Sequence, residues 1–398
     1  AAGSMGLVPA HLRADGEEHA LRNAIAKGAY ISSGRHLQHG DAQQHTRNME
    51  LHTNCSSSAI SFGKFYLLLN GSGVGRSYDD ELMVTDWDRA PALVLALSRE
   101  HPDYPVSREA LFEFAKDFGL LMWAPDETGA WHPPRLADFD DAKLAEAEAL
   151  RDRIIDPDVS ALPGHEPDLD GEVVSFRVPD SREGWARAAE LYEVMAFEGH
   201  VDKTLVLDFS DVRCKGSPIA GMQDRPASGP LSVMRGFHNI RSLVVGQGMP
   251  AWKQAMHVDH HFSVEVQVGG ARRAARMSTK SCRDADIKQF ITIKRDNGLW
   301  TSNNSVMVDE AFWQGVWRVY QLAGEQGIDA RQADMQRFAD TALAAGEITA
   351  EEHRSFDIFM LATESMWFNG EPGFINGDKL DSVGRTRLAR EKPVYDDG

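Results

Sequence analysis

Hydrophobic positions fall into two regimes along the chain. Residues 16–32, "GEEHALRNAIAKGAYIS", place Leu21, Ala24, Ile25 and Ala29 at helical spacing. "AISFGKFYLLLN" reads as a buried helix, ended by the glycine turn "GSGVG" at Gly71–Gly75. Residues 79–172 break the pattern. Loops such as "REHPDYP", "APDETGAWHPP" and "DPDVSALPGHEPDLDG" separate the helical pieces "SREALFEFAKDFGLLMW" and "DAKLAEAEALRDRI". This stretch reads as an acidic helical insertion, either a solvated surface or a regulatory and interaction module.

From residue 173 the pattern becomes regular. "EVVSFRV" and "KTLVLDF" are expected strands around a helix over "PDSREGWARAAELYEVMAF", where Asp180 and Glu183 have capping-box spacing. A long polar loop, Lys215–Pro230, leads into helix "LSVMRGFHNIRSLVV". "HFSVEVQVGG" alternates Phe262, Val264, Val266 and Val268, which predicts a strand stopping on Gly269 and Gly270. "DADIKQFITIKR" is an expected helix and "NNSVMVD" a strand. The helices "EAFWQGVWRVYQLAGEQG" and "AEEHRSFDIFMLATESMWF" follow, then the short strand "GFIN". Strands alternating with helices predict an α/β fold with largely parallel strands. The expected organisation is a first segment over 6–78, the insertion over 79–172 and an α/β portion over 173–398.

Composition narrows the function classes. The 398 residues carry a formal net charge of −18, so the surface as a whole repels nucleic acid and anionic lipid. No apolar run approaches ~18 residues, so no membrane span is expected. Three cysteines argue against a disulfide scaffold and for a reducing cytoplasm. No signal peptide is read, and the opening "AAGSM" reads as an expression scar.

Three loops carry candidate chemistry. "GSGVG" fits neither GxGxxG nor a Walker loop, yet its glycines permit close backbone approach to a ligand, or simply a tight turn. "GGARRAAR" sets Arg272, Arg273 and Arg276 within five residues, which in so acidic a chain suits phosphate or carboxylate recognition, or a surface salt-bridge cluster. "RCKGSPIAGMQDRPASGP" mixes Arg213, Lys215 and Arg225 with small hydroxyls and glycines, which suits a phosphorylated ligand. His257, His260 and His261 sit together in "HVDHH" without zinc-site spacing, and no CxxC or GxSxG occurs. Cys55 lies in polar company before three serines, which favours a functional thiol over inert packing.

The loops occur in a recognisable order. "NCSSSA", "LLLNGSGVG", "VPDSREGW", "LVLDFSDVRCKGSPIAG", "ASGP", "VQVGGARRAARM", "LWTSNNSVMVD" and "NGEPGFIN" resemble ribonucleotide reductases, above all the adenosylcobalamin-dependent class II branch. The resemblance covers residues ~30–80 and ~173–385 and implies part of a ten-stranded α/β barrel. It implies that Cys55 is one member of a reducing dithiol, with Asn54, Ser72 and Gly73 against the substrate. Arg213, Lys215, Gly216, Ser217 and Ser228 would belong to an effector-binding first specificity loop, and Gly269, Gly270, Arg272 and Arg273 to a second. Implied partners are a ribonucleoside di- or triphosphate, dNTP or ATP effectors, Mg with nucleotide, and a thioredoxin-type reductant. The family's N-x-C-x-E radical loop does not follow "NGEPGFIN" here. The expectation is therefore an N-terminal reductase portion, inactive until joined by a C-terminal fragment that carries the radical cysteine and most of the cobalamin site. A catalytically silent dNTP-binding regulator is the alternative.

Overall fold

The structure is a computed structural model. It describes residues 16–29, 55–56, 58, 61–69, 72–158, 164–167, 169–219, 224–265, 267–268, 272–273, 275–295, 298–331 and 333–382. In chain order, β1 (Cys55–Ser56) precedes helix α1 (Ser61–Leu69) and β2 (Gly73–Ser77). Then come β3 (Ala92–Ala96), β4 (Ile155–Asp156), β5 (Val173–Arg177), α2 (Arg182–Glu198) and β6 (Thr204–Asp208). Helices α3 (Pro230–Leu243) and α4 (Ala251–Glu265) lead to β7 (Arg276–Ser281) and β8 (Ser302–Val308). Helices α5 (Glu310–Glu325) and α6 (Ala350–Asn369) precede β9 (Gly373–Asn376).

These strands form two parallel sheets. One runs β1–β2–β7–β8–β9, the other β4–β3–β6–β5. The expected parallel α/β class is therefore what is seen, while the strands do not close into a ten-stranded barrel among the described residues. One face of the second sheet is apolar and buried: Leu93, Leu205 and Val174 form one row on it and Leu95, Leu207 and Phe176 the next. The expected boundary between 172 and 173 runs through this sheet. Val94 of β3 pairs with Val206 of β6, and Ser175 of β5 pairs with Val206 from the other side. Residues 79–172 thus supply strands to the same layer as β5 and β6, rather than a separate helical unit.

Helix α2 shows how local chemistry sets an element's ends. Its N-cap is Ser181, whose hydroxyl accepts from Gly184 N at 3.0 Å. The expected capping box on Asp180 is not formed, since that carboxylate accepts from Arg213 Nε at 2.7 Å instead. Gly199 ends the helix in the left-handed region at φ 81°, and the Arg89 guanidinium occupies the space a side chain there would need. A second expectation fails at Phe262–Val268. Residues through Glu265 are helical in α4, and only Gln267–Val268 form a strand, paired with Arg272–Arg273. Trp252 and Met256 of α4 pack into one core and Val258 and Phe262 into another, so the helix is buried on more than one side and Phe262 belongs to it rather than to a strand.

The two sheets are joined by buried charge. Lys64 on α1 donates to both Glu193 oxygens on α2 at 2.9 and 2.8 Å, and Ser61 Oγ donates to Oε2 of the same carboxylate. Lys64 and Glu193 are 6% and 1% exposed, so neither can be solvated if the other is lost. Replacing Glu193 with Leu should therefore destabilise the fold by about 3 kcal/mol or more. Replacing Lys64 with Met and Glu193 with Leu together should cost clearly less than the two single changes summed. Urea denaturation of the four proteins tests this, and additive single-mutant effects would contradict it.

Candidate functional site

The five-stranded sheet places the sequence-predicted thiol and glycine side by side. β1 pairs with β2 in parallel, with Cys55 opposite Gly73 and Ser56 opposite Val74. Ser72 is buried just before β2, and its hydroxyl shares a hydrogen bond of 2.9 Å with Ser56 Oγ, which also donates to Gly73 O at 3.2 Å. "GSGVG" is therefore not a free loop: Gly73–Ser77 is a strand, and the candidate residues sit at its N-terminal end. Asn54 lies outside the described residues.

Behind this edge, one face of the sheet rests on an ionic network. Asp259 on α4 accepts from Tyr78 Oη at 2.6 Å and from Arg76 NH1 at 3.1 Å, while its other oxygen faces Lys64 Nζ at 3.8 Å. Arg276, the first residue of β7, donates to Tyr78 Oη at 2.9 Å and to Thr301 Oγ1 at 3.3 Å. Burial alone would raise the pKa of the Asp259 carboxyl. Lys64, Arg76, Arg276 and the Tyr78 hydroxyl outweigh it and hold the carboxyl below its ordinary range. Burial lowers the Lys64 ammonium's pKa, helped by Arg76 and opposed by Glu193 and Asp259. Burial, with Asp259 adding to it, raises the Tyr78 phenol.

This corrects the expected arginine trio. Arg276 is 3% exposed and locked into the network, so it does not present its guanidinium to a phosphate beside Arg272 and Arg273. Those two form a short strand with Gln267–Val268, and Gly269 and Gly270 lie outside the described residues. The histidines share Arg276's surroundings. His260 Nδ1 contacts Thr301 Oγ1 at 2.8 Å, and its ring stands edge-on to Trp300. Burial first, then neighbouring cations and imidazoles, lowers His257 to about 4, His260 to about 3 and His261 to about 4. No group of three His, Cys, Asp or Glu side chains among the described residues is placed to hold a metal.

The loop expected to bind an effector, Lys215–Pro230, lies beyond the C-terminal end of β6, on the other sheet. Its ends are clipped together: Gly216 N donates to Ala227 O at 2.9 Å, Ala227 N to Ser217 O at 2.8 Å, and Lys215 N to Asp103 Oδ2 at 2.6 Å. Pro218–Ile219 pairs antiparallel with Arg225–Pro226 to make a hairpin. Gly229 has φ 76°, and a Cβ there would meet Asp103 and the Lys215 backbone, so the hairpin closes onto α3 only through a glycine. Ser228 is half-buried beside it. Arg213, partly exposed, donates to Asp180 and, at 3.3 Å, to Pro218 O. Cys214 Sγ lies 3.1 Å from Ser217 Oγ. Cys282, buried after β7, has its thiol pushed up to about 11 chiefly by burial.

A third cluster went unread in the sequence. Glu371 of "NGEPG" accepts from Lys294 Nζ at 2.7 Å and from Asn304 N at 3.0 Å, which ties the turn before β9 to the start of β8. Lys64 had a signal of its own: it is the single charge in the apolar stretch "AISFGKFYLLLN".

The chain is similar to known proteins over part of its length. Residues 156–244 match the family model "B12-dependent ribonucleotide reductase, insertion domain". The "Putative adenosylcobalamin-dependent ribonucleoside-triphosphate reductase" of Mycobacterium phage D29 is 28% identical over 330 residues, covering 78% of this chain and 40% of its own. The adenosylcobalamin-dependent ribonucleoside-triphosphate reductase of Lactobacillus delbrueckii subsp. bulgaricus is 29% identical over 238 residues, covering 52% of this chain and 32% of its own. A crystal structure of a B12-dependent (class II) ribonucleotide reductase aligns with TM-score 0.45 at 21% identity, covering 77% of this chain and 40% of that one. The protein is thus a parallel α/β chain that carries a reductase insertion domain. It is similar to adenosylcobalamin-dependent ribonucleoside-triphosphate reductases, and it spans 40% or less of the length of these curated relatives.

The depressed histidines predict a pH dependence. In the unfolded chain they take up protons near the ordinary value of 6.5, and in the fold only near 4 or below, as His238 does also. Between those values the unfolded state binds more protons, so their contribution is complete above 6.5 and is lost as pH falls toward 4. Thermal midpoints measured from pH 7 to pH 4 should fall less steeply for His260→Gln than for the parent protein.

Proposed function

We propose that this chain is the part of a class II ribonucleotide reductase that supplies one thiol of the reducing pair and the strand edge against which the nucleotide lies. The observation that carries this reading is the register of β1 on β2, which sets Cys55 directly opposite Gly73. The substrate would be a ribonucleoside di- or triphosphate; the relatives are named as triphosphate reductases. Adenosylcobalamin, when bound, supplies the initiating radical, and its site falls outside the described residues. A cysteine thiyl from a segment outside this chain takes the ribose 3′ hydrogen. The 2′ hydroxyl then leaves as water after protonation, and Cys55 with a second cysteine delivers two electrons and closes a disulfide. The thiyl cysteine returns its hydrogen to C3′, so each turnover consumes one dithiol and makes one disulfide, which a thioredoxin-type reductant reopens.

The residues nearby suit this work. Gly73 and Gly75 keep the strand edge bare of side chains, so a ribose can approach the backbone. Ser56 and Ser72 fix the β1–β2 junction and hence the height of position 55 above the sheet. The clipped hairpin at 215–229 and Arg213 form the effector site in this reading, with Arg213 exchanging its Asp180 carboxylate for a nucleotide phosphate.

In the reconstituted reductase, Cys55→Ser should abolish multiple turnover with thioredoxin-type reductant while leaving nucleotide binding intact. Multiple turnover at the parent rate would remove Cys55 from this role. Arg213→Ala should weaken dNTP binding about 10-fold, read by calorimetry, through loss of a charge-assisted contact. Nucleotide binding by a reconstituted complex that reduces no ribonucleotide would replace the enzyme reading with that of a regulator.

A further inference from the structure

The parallel register sorts the five-stranded sheet into two faces, because residues directly opposite one another share a face and successive residues alternate. Val74, Arg276 and Ser302 are opposite one another, as are Arg76, Ser278 and Asn304. These rows belong to the face whose ionic network holds α4. Position 55 and Gly73 fall in a row of the other face, and the next row on that face is Gly75, Met277 and Asn303. Met277 is 43% exposed and Asn303 is exposed, although both stand on inner strands of the sheet. Their sequence neighbours Arg276, Ser278, Ser302 and Asn304 are all buried. The Asn303 carboxamide has no hydrogen-bond partner among the described residues, whereas Asn304 beside it accepts from Ser302 Oγ at 2.6 Å.

A thioether and an unengaged carboxamide thus lie open on the face to which the row of position 55 and Gly73 belongs. At about 4.8 Å per strand and 3.3 Å per residue, the Cα of Met277 lies roughly 12 Å from that of position 55, and the Cα of Asn303 roughly 16 Å. That is within the reach of a nucleoside whose ribose sits over Cys55 and Gly73. Glycine at 75 leaves the path between them clear: a Cβ there would meet only Ser56 O, at 3.7 Å.

We infer that Met277 and Asn303 are specificity-determining residues that contact the nucleobase of the substrate. Met277 is the apolar bed for the flat face of the base, a contact its polarizable sulfur suits. Asn303 meets the base edge with one donor and one acceptor group and turns its amide to match each base. The inference rests on the reductase reading above and adds to it which residues of this chain touch the base.

The test uses the intact reductase containing this chain, given the four ribonucleotides in competition without effectors. Asn303→Ala should raise KM about 5- to 10-fold, the scale of a hydrogen bond lost from a bound ligand, and flatten the differences among the bases. Asn303→Asp, which only accepts, should shift the rate ratios about 10-fold toward guanine, whose edge offers two adjacent donors, and away from uracil, whose edge offers two carbonyls. Met277→Ala should raise KM for all four substrates, and Met277→Leu should restore most of the loss. Parent enzyme that reduces no ribonucleotide would overturn the reductase reading itself, before any variant is compared. Active parent enzyme with unchanged base ratios in both Asn303 variants, whether or not the overall rate falls, would overturn the inference, since a purely structural role slows all bases alike.

Discussion

The buried carboxylate of Asp259 is the contact on which the rest of the arrangement depends. It lies on a helix between the two sheets, with Lys64, Arg76 and Tyr78 turned toward it and Arg276 held through the tyrosine. Each partner comes from a different element: α1, β2, the turn after β2, and the first residue of β7. A charge buried this deeply is tolerable only while its neighbours stay in place. The network therefore fixes the height and register of the strands whose opposite face carries the candidate site. Lys64 extends it to Glu193, so the insertion layer and the site layer share one set of counter-charges.

This division of labour explains an unusual strand composition. β7 reads Arg-Met-Ser-Thr-Lys-Ser, with no run of β-branched apolar residues, yet it is the middle strand of its sheet. Its stability comes from satisfied polar groups. Lys280 is fully buried, donates to Tyr78 O and to Asp80 and Asp284, and lies over the Trp252 ring. A core of this kind constrains geometry through hydrogen-bond direction as well as volume.

The same polar strands mark where sequence reading falls short. β5, β6 and β8 announce themselves through apolar runs, and α2, α5 and α6 through helical stripes. β7 has no hydrophobic period, and β2 is so rich in glycine that it reads as a loop. The candidate thiol and its neighbouring glycine were legible as an ordered pair of motifs. Their apposition was not, because pairing between positions 55 and 73 is a long-range fact. The Arg276 expectation failed for a related reason: three arginines close in sequence need not share an environment, and a strand start can bury one while its neighbours pair in a separate short strand. The alternation at Phe262–Val268 misled because Phe262 and Val264 belong to the last turns of α4, while only Gln267–Val268 is strand.

The outer strands β1 and β9 have a consequence for handling the protein. Among the described residues each has a strand neighbour on one side only, and β1 is two residues long. The main-chain groups along such a margin form a pairing template open to any extended peptide. The exposed Trp367 and Phe368 lie in the sequence just before β9 and add apolar surface. Handled by itself at high concentration, the polypeptide is thus built to recruit a neighbour's backbone. Its colloidal behaviour becomes a property of whatever strand reaches those margins first.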